Sequence, residues 1–172
     1  MSVVTGIIVG LVVVLLVVAA VWTGFVVAMR AKFPPVQNAV RRMNRAVLNP
    51  RTMEKAGRSG ASASVVRHIG RSTGTAYETP IEAVATGDGF VIALPYGASA
   101  DWLKNVIAAG TAVLVHDGAA YPVDHPELVA ASVGNPYFSA SAQRSHRLFG
   151  VDDFLMVRRV VDVVEEVPEA AR

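Results

Sequence analysis

The chain of 172 residues contains no cysteine. Disulfide bonds, thiolate metal sites and thiol catalysis are therefore excluded. Its four histidines lack metal-ligand spacing, so we expect no metal site. Charge is also sparse, because charged residues make up 17% of the chain and the formal net charge is only +2. Without a clustered basic face and interleaved aromatic residues, we expect no nucleic-acid partner.

Side-chain charge is absent from residues 3–29, which are dominated by Val, Leu, Ile and Ala. At 1.5 Å per residue this run extends about 40 Å, enough to span a hydrocarbon core of ~30 Å. The alternative is a cleaved signal peptide. However, the start lacks Lys and Arg, the apolar run is too long, and residues 28–31 make a poor cleavage site. The sequence therefore predicts a retained transmembrane anchor over residues 1–32.

Basic residues follow the apolar segment but do not precede it. They are Arg30, Lys32, Arg41, Arg42 and Arg45. The positive-inside rule predicts a single-pass protein of the cell membrane whose C-terminal domain is cytoplasmic. Small residues at Gly6-x-x-x-Gly10 and Ala20-x-x-x-Gly24-x-x-x-Ala28 favour a transmembrane helix partner, either a second copy or a larger membrane complex. Gly and Ala are also simply common in membrane spans.

Residues 33–62 are expected to form an amphipathic helix and a linker. Val36, Val40, Met43 and Val47 recur at helical spacing, with the arginines on the polar side. Two interpretations stay open. The apolar stripe packs on the folded domain, with the arginines in solvent or touching anionic membrane lipid, or the helix is a lid between membrane and pocket. We favour packing.

The remaining pattern is mainly β. Strands are predicted at 63–69, 76–85, 90–95, 111–116, 119–123 and 154–164, with hairpin turns at 87–89 and 117–118. Helices are predicted at 101–109, ended by Gly110, and at 126–133 and 139–149. We therefore expect a small barrel over residues 63–164, followed by an acidic tail at 165–172.

A glycine-rich turn and a helix start lie close together in this domain. In the run from Gly70 to Gly74, both glycines can adopt positive φ and let backbone N–H groups approach an anion. A later strand runs into Tyr96-Gly97, and Ser99 or Asp101 is a candidate N-cap for the helix that follows. Because helix N-termini bind anions, the sequence predicts a pocket for a phosphate-bearing cofactor.

The same residues carry a family resemblance over roughly residues 40–160. The motifs are His68-Ile69-Gly70-Arg71-Ser72-Thr73-Gly74, Thr79-Pro80, Tyr96-Gly97, Asp101-Trp102-Leu103-Lys104-Asn105 and Gly150-Val151-Asp152-Asp153-Phe154-Leu155. Their order and spacing resemble the deazaflavin-dependent nitroreductase-like proteins of actinobacteria. The resemblance implies a mainly β, α+β split β-barrel of the FMN-binding type, with coenzyme F420 as cofactor. It also implies cofactor contacts from Gly70, Arg71, Ser72, Thr73, Gly74, Thr79, Pro80, Tyr96, Gly97, Trp102 and Asn105.

The chain departs from that family where relatives place cations around the anionic tail of F420. Those positions are Ser72, Thr75 and Glu78 here, and Tyr96 stands where some relatives have Lys, which leaves Arg71 as the only cation of the turn. Each lost charge-assisted hydrogen bond typically contributes ~1.5–3 kcal/mol. We therefore expect weakened binding of this cofactor.

Several site residues also have structural interpretations. Trp102 is either a wall for the cofactor ring or a buried anchor, and Asn105 bonds either a ligand or a loop. His68 is expected to be a structural histidine. Residues 135–138 lie where relatives carry substrate-side aromatics, in a loose alignment. No catalytic acid–base pair or triad is visible, which suits hydride chemistry supplied by a cofactor.

Three functions remain open. The first is a membrane-anchored oxidoreductase that transfers hydride from reduced F420 to a lipophilic acceptor such as menaquinone. The second is a non-catalytic accessory subunit of a membrane complex, for example a respiratory one, that keeps the fold without the cofactor. The third is a binder of another ligand, such as flavin, haem or fatty acyl chains.

Overall fold

The computed structural model of the protein describes residues 3–160. Its helices are α1 (Val3–Arg30), α2 (Pro34–Met43), α3 (Asn49–Met53), α4 (Asp101–Ala109), α5 (Ala131–Gly134) and α6 (Ala140–Phe149). A π-helical turn at Asn44–Leu48 joins α2 to α3, and 3₁₀ turns occur at Gly97–Ser99 and Asn135–Tyr137. The strands are β1 (Ser64–Ile69), β2 (Ala76–Ile81), β3 (Ala83–Ala85), β4 (Gly89–Ala93), β5 (Thr111–His116), β6 (Ala119–Ala130) and β7 (Asp153–Arg159).

The strands form one seven-stranded antiparallel sheet in the order β2-β1-β5-β6-β7-β4-β3. Its two edge strands, β2 and β3, are consecutive in the chain and separated only by Glu82, whose carbonyl accepts a hydrogen bond from the N–H of Ala93 at 3.0 Å. Both edges of the sheet thus belong to one bent segment, and the sheet curls into a half-open barrel. The predicted fold class, a mainly β, α+β split barrel, is confirmed.

The barrel has apolar side chains on both faces of its central strands. Along β4, Phe90 and Ile92 belong to one buried cluster, whereas Val91 and Ala93 belong to another, as the two-residue period of a strand requires. Helix α4 adds the fully buried Leu103 to the first cluster. Burying one such side chain stabilises the fold by roughly 1.5–3 kcal/mol, so α4 is held firmly against the barrel.

The predicted helix at 126–133 is wrong. Residues 126–130 continue β6, residues 127–130 pair with β7, with Leu128 opposite Leu155, and only Ala131–Gly134 is helical. A β-bulge between Asp124 and Glu127 shifts the register there, and His125 in the bulge has a φ of 49°. The long-range pairing of β6 with β7 overrides the local helical pattern.

Other boundaries also differ from the prediction. The expected strand at 76–85 is interrupted at Glu82, and neither Ser99 nor Asp101 caps α4, because Ala100 occupies its N-cap without a side-chain bond. The hairpin turn at Asp117-Gly118 is confirmed, since φ is positive at both residues. The end of the strand predicted at 154–164 and the acidic tail at 165–172 lie outside the described residues.

Helix α1 is, within the described residues, the one helix long and apolar enough to cross a membrane. It ends in a Schellman motif: Lys32 adopts a φ of 52°, its N–H bonds the carbonyl of Met29, and the N–H of Phe33 bonds the carbonyl of Ala28. This geometry reverses the chain direction, so that α2 begins immediately afterwards at Pro34.

The last turns of α1 pack on α6. The rings of Trp22 and Phe25 lie 6.2 and 6.3 Å from the ring of Phe149, both in edge-on geometry. A guanidinium nitrogen of Arg30 donates to the carbonyl of Arg147 at 2.6 Å. The contact attaches the apolar helix to the folded domain.

The apolar stripe that begins in α2 packs only in part. We expect that stripe to pack on the domain, and Val36 and Val40 are half-buried, whereas Met43 and Val47 are 51% and 43% exposed. Polar groups also face the domain, with Gln37 buried and Arg41 and Asn44 half-buried. The second half of the stripe is therefore largely exposed.

Candidate functional site

The glycine turn connects β1 to β2. The N–H of Gly70 donates to the carbonyl of Thr75 and the N–H of Gly74 to the carbonyl of Gly70, both at 2.8 Å. Only Gly74 has positive φ, at 66°, so the prediction for Gly70 is wrong. Gly70 is needed for space instead, since a Cβ there would lie 2.5 Å from Thr73 Oγ1 and 2.8 Å from the Tyr77 ring.

Arg71 binds the first turns of α4. Its Nη1 donates to Asn105 Oδ1 at 2.8 Å and its backbone N–H donates to the same oxygen at 3.2 Å. The guanidinium also lies 3.4 Å from the carbonyl oxygen and 3.6 Å from a carboxylate oxygen of Asp101. Arg71 is thereby fixed between the glycine turn and the start of α4.

A buried chain of hydrogen bonds continues from Asn105 into the barrel. Because Asn105 Oδ1 accepts from Arg71, its Nδ2 donates to His68 Nδ1 at 3.1 Å. His68 Nε2 then lies 3.3 Å from Thr79 Oγ1, and the ring stacks on Tyr77. Burial lowers the pKa of His68 below its ordinary value of 6.5, so the imidazole is neutral at neutral pH. The expectation of a structural histidine agrees with this placement.

Arg41 binds the same loop from α2. Its Nη2 donates to the carbonyl of Tyr96 at 3.0 Å and to Ser99 Oγ at 2.6 Å, and its guanidinium lies 5.4 Å from the centre of the Tyr96 ring. Asn44 Nδ2 donates to the Tyr96 hydroxyl. Burial raises the pKa of Tyr96, with Arg41 acting in the opposite direction, so the phenol keeps its proton and has it to donate.

Two guanidinium groups therefore converge on the segment from Tyr96 to Asp101, which leads into α4. No side chain caps α4, so its first N–H groups add further donors. Gln37 Nε2 and Arg41 Nε are buried without a hydrogen-bond partner among the described residues. A site that is rich in hydrogen-bond donors, some of them without partners, fits an anionic group. The phosphate-bearing cofactor that the resemblance implies carries such a group.

The predicted site residues fall into groups. One group lies around His68 and consists of Gly70, Arg71, Thr79 and Asn105. Thr73 joins this group through Tyr77, because Thr73 Oγ1 lies 3.5 Å from the Tyr77 hydroxyl. A second group consists of Tyr96 and Gly97 under Arg41. Ser72 and Gly74 are exposed at the tip of the turn.

The other predicted residues lie apart from these groups. Pro80 alternates with Thr79 along β2 and so points to the other face of the sheet. Trp102 packs against the barrel core, as the anchor interpretation requires. Glu78 pairs with Arg67 across β1 and β2 at 2.7 Å, so its charge is already balanced.

Sequence reasoning missed the contribution of α2. Gln37, Arg41 and Asn44 were not site candidates, although they recur at i, i+4 and i+7. That spacing places them on one helix face, and a polar stripe beside an apolar one was the signal available. Arg41 supplies a second cation where the glycine turn has only Arg71.

Comparisons with known proteins give matches of structure alone. No protein-family profile matches the chain, and no curated protein does. One matching solved structure is described as an F420 reductase; it is 10% identical, covers 57% of this chain and 86% of its own, and has a TM-score of 0.43. Another, described as a domain-swapped dimer, is 12% identical, covers 71% of this chain and 98% of its own, and has a TM-score of 0.47. Both matches are similarities of backbone structure.

Proposed function

We propose that the protein is a membrane-anchored oxidoreductase that binds coenzyme F420 and passes hydride to a lipophilic acceptor such as menaquinone. The observation that carries this proposal is the convergence of Arg71 and Arg41 on the segment from Tyr96 to Asp101, which leads into the uncapped start of α4. Donors without matching acceptors favour an anionic ligand there.

Each residue group has a role in this proposal. Arg71, the glycine turn and the start of α4 hold the anionic tail of the cofactor. Arg41 and Gln37 donate their unsatisfied N–H groups to acceptor atoms of cofactor or substrate. Tyr96, with its protonated phenol, donates a hydrogen bond at the same place. Reduced F420 supplies the hydride when bound, and the protein binds and orients both partners.

The anchor is proposed to hold this site close to the bilayer, where a lipophilic acceptor is dissolved. Residues 3–24 of α1 are exposed and reach about 33 Å at 1.5 Å per residue, which matches a membrane core. The basic residues after α1 support a cytoplasmic location of the barrel. The small-residue ridge of α1 supports a helix partner, a second copy or a larger complex.

A binding comparison tests the cofactor site. The full chain in nanodiscs is titrated with F420, alongside Arg71→Ala and the control Arg144→Ala, which removes an exposed cation of α6. Loss of a charge-assisted hydrogen bond in Arg71→Ala should weaken binding by about ten-fold or more. Equal dissociation constants for both variants would remove Arg71 from the site.

A second candidate function is an accessory subunit that has lost the cofactor. Arg71 is already engaged by Asn105 and by the carboxylate of Asp101, and Ser72 and Thr75 supply no charge at the turn. This function predicts no F420 binding and a stable large assembly on native gels of solubilised membranes. Saturable F420 binding by the purified chain would contradict it.

A further inference from the structure

We propose that α2 and the π-helical turn that follows it lie in the membrane interface, with the apolar stripe of Val36, Val40, Met43 and Val47 facing lipid. This inference rests on the proposed membrane span of α1. It assigns α2 a docking surface whose partner is the bilayer from which α1 emerges. It also assigns α2 two faces with separate roles.

The first observation is that the protein buries polar groups of α2 and leaves the second half of the apolar stripe largely exposed. Arg41 and Asn44 bind Tyr96, and Gln37 is 7% exposed, so polar groups make the contact with the domain. In contrast, Met43 is 51% exposed and Val47 is 43% exposed, while Val36 and Val40 are half-buried. A water-facing helix has the opposite arrangement, with apolar residues against the domain.

The second observation is the continuity of α2 with the span. Only residues 31–33 separate the two helices, and three residues reach at most about 11 Å. Phe33, the last residue before α2, is itself 51% exposed. The start of α2 therefore lies within about 11 Å of the end of α1, at the level of the lipid headgroups in this proposal.

The third observation is that the end of α1 contacts the barrel. Arg30 donates to the carbonyl of Arg147 at 2.6 Å, and Lys32 Nζ lies 3.5 and 3.4 Å from carboxylate oxygens of Asp152 and Asp153. Together with the packing of Trp22 and Phe25 on Phe149, these contacts place the barrel beside the end of α1. With α1 upright in a bilayer, the barrel and α2 are held beside the lipid surface.

The charge pattern of α2 fits the same partner. Arg42 is exposed and lies on a face not used by the domain, and Arg51 follows in exposed position on α3. An apolar stripe flanked by exposed arginines is the pattern of helices that lie in the interface of anionic membranes. Because Asn44 contacts the Tyr96 hydroxyl, this placement puts the candidate site directly under a lipid-bound helix.

The chain has no cysteine, which allows single labels at chosen positions. Met43→Cys places an environment-sensitive NBD label on the stripe, and the matched control Asn38→Cys places it at an exposed position elsewhere on α2. A third variant, Val12→Cys, reports on the span itself. Each labelled full chain is reconstituted in nanodiscs with and without lipids that carry a spin label near the headgroup or deep in the acyl region.

We expect the Met43 label to be blue-shifted and to lose most of its fluorescence to the shallow lipid quencher, whereas the Asn38 label stays red-shifted and is quenched by aqueous iodide. Equal iodide quenching of both labels would overturn the inference. So would a Met43 label shielded from both quenchers, because protein, for example a second copy, would then cover the stripe. An unquenched Val12 label would overturn the span and with it this inference.

The same samples separate this inference from the proposed enzyme. A lipid-quenched Met43 label in a chain that binds no F420 leaves α2 in the interface and removes the cofactor proposal. F420 binding with a water-exposed Met43 label keeps the cofactor and removes the interfacial helix.

Discussion

Asn105 is the residue that joins the candidate site to the barrel core. It is 6% exposed, accepts two hydrogen bonds from Arg71, and donates one to His68. Its buried position on α4 follows from the helix that the sequence predicts, and its pairing with Arg71 follows from the glycine turn. The sequence motifs identified both Arg71 and Asn105 as site candidates, but only the structure shows that the two residues bind each other.

Asn105→Ala should reduce the free energy of unfolding by about 1–3 kcal/mol, because it leaves buried His68 Nδ1 and the part-buried N–H of Arg71 without their partner. Urea unfolding of the full chain in detergent, followed by circular dichroism, measures this change. The control is Lys104→Ala, an exposed neighbour on α4. Equal unfolding free energies of the two variants would show that the hydrogen bonds of Asn105 do not stabilise the fold.

His68 should make stability depend on pH. Burial lowers its pKa in the folded state below 6.5, so the unfolded chain binds its proton first as pH falls. This contribution to stability is complete above pH 6.5 and is lost progressively as the pH falls below that value. His68→Gln removes the titrating group, so its unfolding free energy should decline less steeply across this window. Parallel curves for variant and wild type would contradict this assignment.

At the scale of elements, the spacing of residues along the chain predicted those helices and strands whose bounds depend on neighbouring residues. Helix α4 has the predicted bounds and ends at Gly110, with a φ of 71°. The prediction failed at 126–130, where pairing of β6 with β7 decides the structure. For α2 it predicted a helix with an apolar stripe, but the spacing did not show that Met43 and Val47 stay exposed.

The turn between α1 and α2 provides a test at this scale. Lys32 adopts a left-handed φ of 52°, which costs a residue with a Cβ about 1–2 kcal/mol. Its ion pairs with Asp152 and Asp153 are partly exposed and contribute only about 0–1 kcal/mol. Lys32→Gly and Lys32→Ala lose the same ion pairs, but only glycine relieves the strain.

Lys32→Gly should therefore be more stable than Lys32→Ala by about 1 kcal/mol. Thermal unfolding of both full-length variants in the same detergent gives the comparison. If the alanine variant unfolds at the same or a higher temperature, the left-handed turn does not govern this junction.

At the scale of the whole molecule, the sequence separates an apolar segment from a β domain, and the structure joins them. Composition and charge predicted the apolar helix, and ordered motifs predicted the split barrel. The packing of Trp22 and Phe25 on Phe149 was not predictable, because it joins residues more than a hundred positions apart without a periodic signal. That contact places the barrel beside the end of the apolar helix.

The most direct test of the account is whether this site binds a deazaflavin. The chain has two tryptophans, Trp22 in α1 and Trp102 in α4, so a Trp22→Phe background leaves one reporter, next in sequence to Asp101, which Arg71 contacts. We expect F420 to quench Trp102 fluorescence saturably in nanodiscs, and Arg71→Ala to shift the titration to higher concentration. Absence of any saturable change with F420 would contradict the oxidoreductase proposal and favour the accessory subunit.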